Sequence, residues 1–140
     1  MTDITPKRER EAWRGTVQTA QPWPDIVKYW DDFTIERPKL EPLRQLIHTL
    51  AESPASSVLF GGFFLHGEGD GIMVSDSPDF RRTDNVLEIY FRPTGGHFEF
   101  RHRTFAGHDD HKMCLASEAT ETLRLFLRYK YGVLLEGPVA

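Results

Sequence analysis

A chain of 140 residues with 39% hydrophobic and 27% charged residues has the composition of one globular domain and not of a disordered segment. Its net charge of −4 argues against a nucleic-acid binder, whose footprint is a basic patch. The sequence has no apolar stretch of membrane-spanning length and no signal-peptide core, and its single cysteine, Cys114, excludes an internal disulfide. We therefore expect a cytoplasmic protein that binds neither nucleic acid nor membrane.

The first 24 residues are predicted to form an arm, and residues 25–140 to form a single α+β domain. All three tryptophans, Trp13, Trp23 and Trp30, lie within the first thirty positions. We favour the interpretation that they pin the arm onto the body, because buried aromatic area is the usual way to fix such a segment. The alternative is that they anchor a partner, since tryptophan is enriched in binding hot spots.

Several short elements are expected before the best-defined part of the sheet. Apolar residues at helical spacing predict a helix over residues 40–51. Residues 58–66 are dense in apolar and aromatic side chains and predict a strand, in which Gly61 and Gly62 indicate a bulge or a close backbone approach. The remaining predicted elements are a short helix over residues 24–30 and short strands over residues 33–35 and 72–74.

Residues 86–103 predict a β-hairpin with a four-residue loop, in the sequence VLEIYFR-PTGG-HFEFRHR. With that loop, Phe91 faces Phe98 and Ile89 faces Phe100 on the buried side of the hairpin. A slip of one residue would send Phe98 and Phe100 to solvent, so the register is strongly specified. The opposite face is expected to be polar and wetted, with the cross-strand pairs Tyr90–Glu99 and Glu88–Arg101.

After the hairpin we expect a loop over residues 106–112 and a returning strand over residues 113–116. Ser117 is a favourable N-cap, and the stretch that follows it predicts an amphipathic helix that ends at Gly132. Residues 133–136 are expected to add a final short strand. The whole is predicted to be α+β: an antiparallel β-meander of about four to six strands with two helices packed on one face.

The strongest candidate for metal chemistry is a set of three histidines and the cysteine with the spacing H-x5-H-x2-H-x2-C. Imidazole and thiolate groups are zinc ligands, and four of them would close a tetrahedral site. The spacing matches no established zinc pattern, so we prefer a polar loop beside a buried thiol, with no cofactor and no catalytic residue. The four residues are His102, His108, His111 and Cys114.

The layout of residues 40–136 resembles that of bacterial polymorphic-toxin immunity proteins. The shared features are a leading helix, a meander with the glycine turn LEIYFRPTGGHFEF, and a strand that runs into the helix SEATETLRLFL. The resemblance implies a non-catalytic protein-binding module that neutralises a cognate toxin by masking its active site. Acidic side chains would then meet a basic toxin domain and speed association. The candidate partner-binding residues are Glu68, Asp70, Asp76, Asp79 and Asp84.

Two other functions remain open from the sequence. One is a small zinc-binding domain or metal-dependent enzyme that uses the histidine and cysteine set. The other is a homodimer that binds a small ligand in a pocket lined by Phe60, Phe63 and Phe91. Elemental analysis would separate the first from a binding module, and a ligand that raises the melting temperature would reveal the second.

Overall fold

The computed structural model describes residues 20–63, 70–80, 85–103 and 110–136. Trp13 and most of the predicted arm lie outside these ranges. The described residues form three α-helices and one five-stranded sheet. The helices are α1 (Trp23–Glu36), α2 (Glu41–Ala51) and α3 (Ala119–Phe126), and the strands are β1 (Phe60–Phe63), β2 (Asp70–Ser75), β3 (Val86–Arg92), β4 (His97–Arg103) and β5 (Asp110–Leu115).

The five strands lie in the order β1-β2-β3-β4-β5, and every neighbouring pair is antiparallel. The predicted α+β meander is therefore confirmed. Between β3 and β4 the register runs from Arg92 opposite His97 to Val86 opposite Arg103, as the sequence predicts. The connecting loop needs two residues with positive φ, which Gly95 and Gly96 supply at +90° and +61°.

The main core lies between the inner face of the sheet and all three helices. Aromatic rings run across it, with Phe91 and Phe98 centroids 4.7 Å apart and Phe100 stacked on Phe126 at 5.6 Å. Leu123 of α3 is completely buried against them. A second, smaller cluster on the outer face joins Ala20, Met73, Phe80 and Val86. The sheet is thus covered by helices on its inner face.

Helix α1 spans both the short helix predicted over residues 24–30 and the strand predicted over residues 33–35. The prediction of that strand is therefore wrong. Ile26, Trp30 and Thr34 recur every four residues and are all buried, so one helical face continues to the end of α1. Because Thr34 is polar, the apolar pattern in the sequence ends at Trp30, although the buried face of α1 continues to Thr34. Ile35, which lies in the strand expected from the sequence, is 78% exposed on the other side of the helix.

The edge strand is longer than predicted, because β5 begins at Asp110 inside the expected loop. All of β5 except Cys114 is exposed, and its first three residues are polar. An edge strand needs few buried side chains, so a polar start resembled a loop.

The chain after β5 also differs from expectation. A 3-10 turn, Ala116–Glu118, precedes α3, so Ser117 is not its N-cap. The helix continues through a π-type turn and stops at Gly132, with φ +64°, as predicted. The strand expected over residues 133–136 is wrong: these residues form no strand, and Leu135 is buried in the core instead.

Candidate binding site at the β5 edge

Strand β5 has β4 as its only strand neighbour in the described part of the chain. The Ala116 N–H donates to the Gly96 carbonyl at 3.2 Å, whereas the Leu115 N–H donates to the Glu118 carboxylate at 3.0 Å. Peptide groups of successive residues in an antiparallel strand point to opposite sides. The N–H and C=O groups of His111 and Met113 therefore point away from β4, in the same direction as the Leu115 N–H. They form an open backbone edge.

Apolar side chains flank this open edge on both faces of the sheet. On the outer face, Met113 is 54% exposed and Leu115 is 59% exposed. On the inner face a groove of about 340 Å³ separates β5 from the closing helix, by which we mean α3 and the π-type turn Leu127–Tyr131 that continues it. Leu125 and Tyr129 of this helix are also exposed. The groove is lined by Asp110, His111, Lys112, Leu125, Phe126, Tyr129 and Lys130. An open edge between two apolar surfaces is the geometry that accepts an added strand.

Two lysines give the inner side of this site its charge. Lys130 donates to the carboxylate of Asp110, and this hydrogen bond holds the pKa of Asp110 below its usual value. Lys112 lies on the exposed middle of β5 and forms no ion pair within 4.0 Å with a described residue. Its charge is therefore available to a group bound in the groove.

The outer face beside the site carries a compact charge cluster around Glu99. Its carboxylate lies 3.0 Å from Arg101, 3.0 Å from His111 and 3.5 Å from Arg92. Burial raises the pKa of Glu99, but the hydrogen bond to His111 and the charges of the two arginines outweigh it, so the net shift is downward. The cluster fixes the imidazole of His111 next to the open edge.

The prediction of a wetted outer face is wrong for the middle of the hairpin. Glu88, Tyr90 and Glu99 are all buried. The guanidinium groups of Arg92 and Arg101 lie over the Tyr90 ring at 5.4 Å and 5.9 Å from its centroid. Long cationic side chains lie across the polar row, which shields it from water while their own ends stay exposed.

The predicted acidic contacts that fall within the described residues lie in two separate places. Asp70 opens β2 and lies 3.5 Å from Arg37, whereas Asp76 follows the other end of that strand. Six residues of strand separate the two carboxylates by about 20 Å. Asp79 lies close to Asp76 in the turn after β2 and is half-buried. Glu68 and Asp84 lie outside the described residues.

The sheet also separates the predicted metal ligands. His102 points into the core, where its ring meets Tyr131 edge-on at 5.8 Å and its Nε2 contacts Asn85 Oδ1. Cys114 also points inward, but the register places it four residues along β5 from the partner of His102, about 13 Å away. His111 lies on the opposite face. His108 lies outside the described residues.

The thiol of Cys114 is buried in the main core. Burial raises the pKa of the Cys114 thiol. Within the described ranges, no group of three or more His, Cys, Asp or Glu side chains is placed to hold a metal ion.

The pocket expected from three phenylalanines is not assembled. Phe60 and Phe63 are an odd number of residues apart on β1 and so lie on opposite faces of the sheet. Phe91 is packed in the main core. A second groove, between α1 and α2, is lined in part by Arg44, whose guanidinium is already paired with Asp31 and Glu41.

Sequence reasoning missed the β5 edge site, although the sequence carries two signals for it. Met113 and Leu115 lie two residues apart, so on a strand both point to the same face and give it an apolar side. Leu125 and Tyr129 lie four residues apart on the side of the closing helix that faces away from the core. Each signal is weak alone, and only the fold brings the two together.

Comparison with known proteins adds no independent clue to the role of this site. Neither a family model, nor a curated protein, nor a solved structure matches the chain. None of the helices in the described ranges is long and apolar enough to cross a membrane. The functional argument therefore starts from the geometry of the β5 edge.

Proposed function

We propose that this chain is a protein-binding module and that the β5 edge is its binding surface. One observation carries the proposal: the open peptide groups of His111 and Met113 lie between two exposed apolar surfaces. Soluble proteins usually cover or blunt a sheet edge, because an open edge templates pairing with another chain. An edge that combines free backbone groups with Met113, Leu115 and Tyr129 is suited to a protein partner.

Within this proposal, the partner is a toxin domain whose active site the module masks in the cytoplasm. The resemblance in layout to immunity proteins supports this finer assignment. The acidic balance of the chain, with a net charge of −4, fits a basic partner. Asp76 and Asp79, which lie in one turn, are the candidate contacts for a basic surface outside the strand-pairing site.

The test is co-expression of this chain with the product of the adjacent reading frame, followed by calorimetric measurement of the dissociation constant. We expect a stable complex and rescue of growth if that product is toxic. The double variant Met113→Arg and Leu115→Arg places two charges on the apolar side of the edge and should weaken binding at least 100-fold. Ile35→Arg is the matched control, because Ile35 is an exposed apolar residue on α1.

The outcomes separate the two levels of the proposal. Equal affinity of the wild type and the β5 double variant would exclude the β5 edge as the binding surface. A neighbour that binds without being toxic would contradict the immunity role alone. Unchanged affinity after Asp76→Lys and Asp79→Lys would remove these residues as contacts.

A further inference from the structure

We propose that the partner supplies an extended segment that pairs with β5 as a sixth strand and places a carboxylate beside Lys112. This inference rests on the proposed function and names the chemistry of one segment of the partner, separate from the basic surface that Asp76 and Asp79 would contact. It commits to an acidic, extended polypeptide segment and not to a second copy of this chain.

The backbone of β5 determines where such a segment binds. The outward N–H groups that remain open belong to His111 and Met113, while the outward N–H of Leu115 already donates to the Glu118 carboxylate. The open edge is therefore two residues long on the outward side, with Lys112 between them. An added strand would hydrogen-bond to His111 and Met113, and its residue between these bonds would lie opposite Lys112.

The side chains then determine what the segment carries. Lys112 lies on the same face of β5 as the groove and has no ion-pair partner among the described side chains. Lys130 borders the same groove. Directly opposite charges across neighbouring strands stabilise pairing, so the residue that faces Lys112 is Asp or Glu. The residue opposite Met113 projects to the outer face and is apolar.

The same lysine disfavours a second copy of this chain. Antiparallel pairing of β5 with itself through both His111 and Met113 puts Lys112 directly opposite Lys112 of the other copy. Like charges at that position destabilise the pair, and an edge lysine is a known device against self-association. The edge is thus closed to its own copy and open to an acidic strand.

The experiment selects binders of the whole protein from a displayed library of random nine-residue peptides. We expect the selected peptides to carry Asp or Glu next to an apolar residue. The best peptide should bind Lys112→Glu at least tenfold more weakly, and selection on this variant should favour Lys or Arg at the same position. Lys39→Glu is the matched control, because it reverses an exposed lysine on the 3-10 turn before α2.

Amide hydrogen exchange provides a second readout that reports the backbone directly. Binding of the peptide should slow exchange at the amides of His111 and Met113 and leave those of Lys112 and Cys114 unchanged, because the latter already face β4. No selected peptide, no acidic preference, or protection elsewhere would overturn the inference. If a natural partner binds and is insensitive to Lys112→Glu, the acidic strand is excluded while the proposed function stands.

Discussion

The two edges of the sheet are built in opposite ways. At the β1 edge, the Gln21 N–H donates to the Gly61 carbonyl at 3.0 Å, and the Trp23 indole N–H donates to the Leu59 carbonyl at 3.1 Å. At the β5 edge the outward peptide groups of two residues have no strand beside them in the described part of the chain. One edge is closed by Gln21 and by the first residue of α1, and the other is left accessible.

The closed β1 edge depends on close packing against two glycines. A methyl group added at Gly61 would lie 2.6 Å from the Trp23 ring and 2.9 Å from Ile26, so the closure requires a glycine there. On the outer face, Gly62 makes room for Phe80 in the same way. The predicted close backbone approach is thus confirmed. The chain packs closely against the β1 edge. The open β5 edge is therefore a property of that edge and does not reflect loose packing throughout the domain.

The largest expected effect comes from removal of the residue that closes the β1 edge. Trp23→Ala deletes a half-buried ring and its hydrogen bond to Leu59, and should lower the free energy of unfolding by about 3 kcal/mol. Urea unfolding followed by circular dichroism measures the change. Tyr129→Ala at the β5 edge is the matched aromatic control and should change stability by less than about 0.5 kcal/mol. Equal losses would abolish the contrast between the edges.

A somewhat smaller effect is expected at the glycine beneath that ring. Gly61→Ala should destabilise the protein by about 2 kcal/mol, because the new methyl group overlaps the Trp23 ring in a packed site. In a Trp23→Ala background the same change should cost less, since only the contact with Ile26 remains. The four unfolding free energies form a double-mutant cycle, and additivity of the two changes would show that the ring and the glycine do not compete for space.

The stability that the contact between α1 and α2 contributes should depend on pH. Asp31 of α1 and His48 of α2 are 2.7 Å apart, and this hydrogen bond is the main cause that raises the pKa of His48 and lowers that of Asp31. A raised imidazole pKa adds stability below its unfolded value of about 6.5, and the contribution is lost as pH rises through the folded value. The lowered Asp31 pKa adds stability above about 3.8, lost on acidification.

We therefore expect stability to fall between pH 6 and pH 9 by more in the wild type than in His48→Gln. Urea midpoints at the two pH values measure the difference. A parallel fall in both proteins would show that the α1–α2 contact does not contribute to the pH dependence.

The smallest change in stability is expected at the open edge. Met113→Ala removes an exposed side chain that packs against no other strand. The free energy of unfolding should therefore change by less than about 0.5 kcal/mol. The same variant should reduce the affinity of the selected peptide, because Met113 lies on the apolar flank of the edge. A large loss of stability would mean that Met113 belongs to the core of the fold and not to a docking surface.

The hairpin and the closing helix were predictable because their patterns are periodic and have fixed ends. Phe98 and Phe100 alternate with polar residues, and a four-residue loop leaves only one register that buries both. Other segments failed because tertiary context overrode the local pattern. Thr34 interrupts the apolar stripe of α1, and Leu135 fills the core from a segment without a strand partner.

The candidate site was less predictable than the fold, for a geometric reason. Residues an odd number of positions apart on a strand point to opposite faces, so the sheet separates His111 from Cys114 although their sequence spacing groups them. The β5 edge site, in contrast, joins Met113 and Tyr129, which are far apart along the chain. Sequence spacing describes neither the open peptide groups nor the groove, because both exist only after β5 pairs with β4.

The placement of the indoles on α1 has a practical consequence for spectroscopy. Trp23 and Trp30 both belong to the helix at the closed edge, and the chain has no tryptophan after position 30. The emission of these two indoles therefore reports on α1. Leu115→Trp would install a solvent-facing fluorophore on the outer flank of the open edge, and its emission would shift to the blue when a strand covers it.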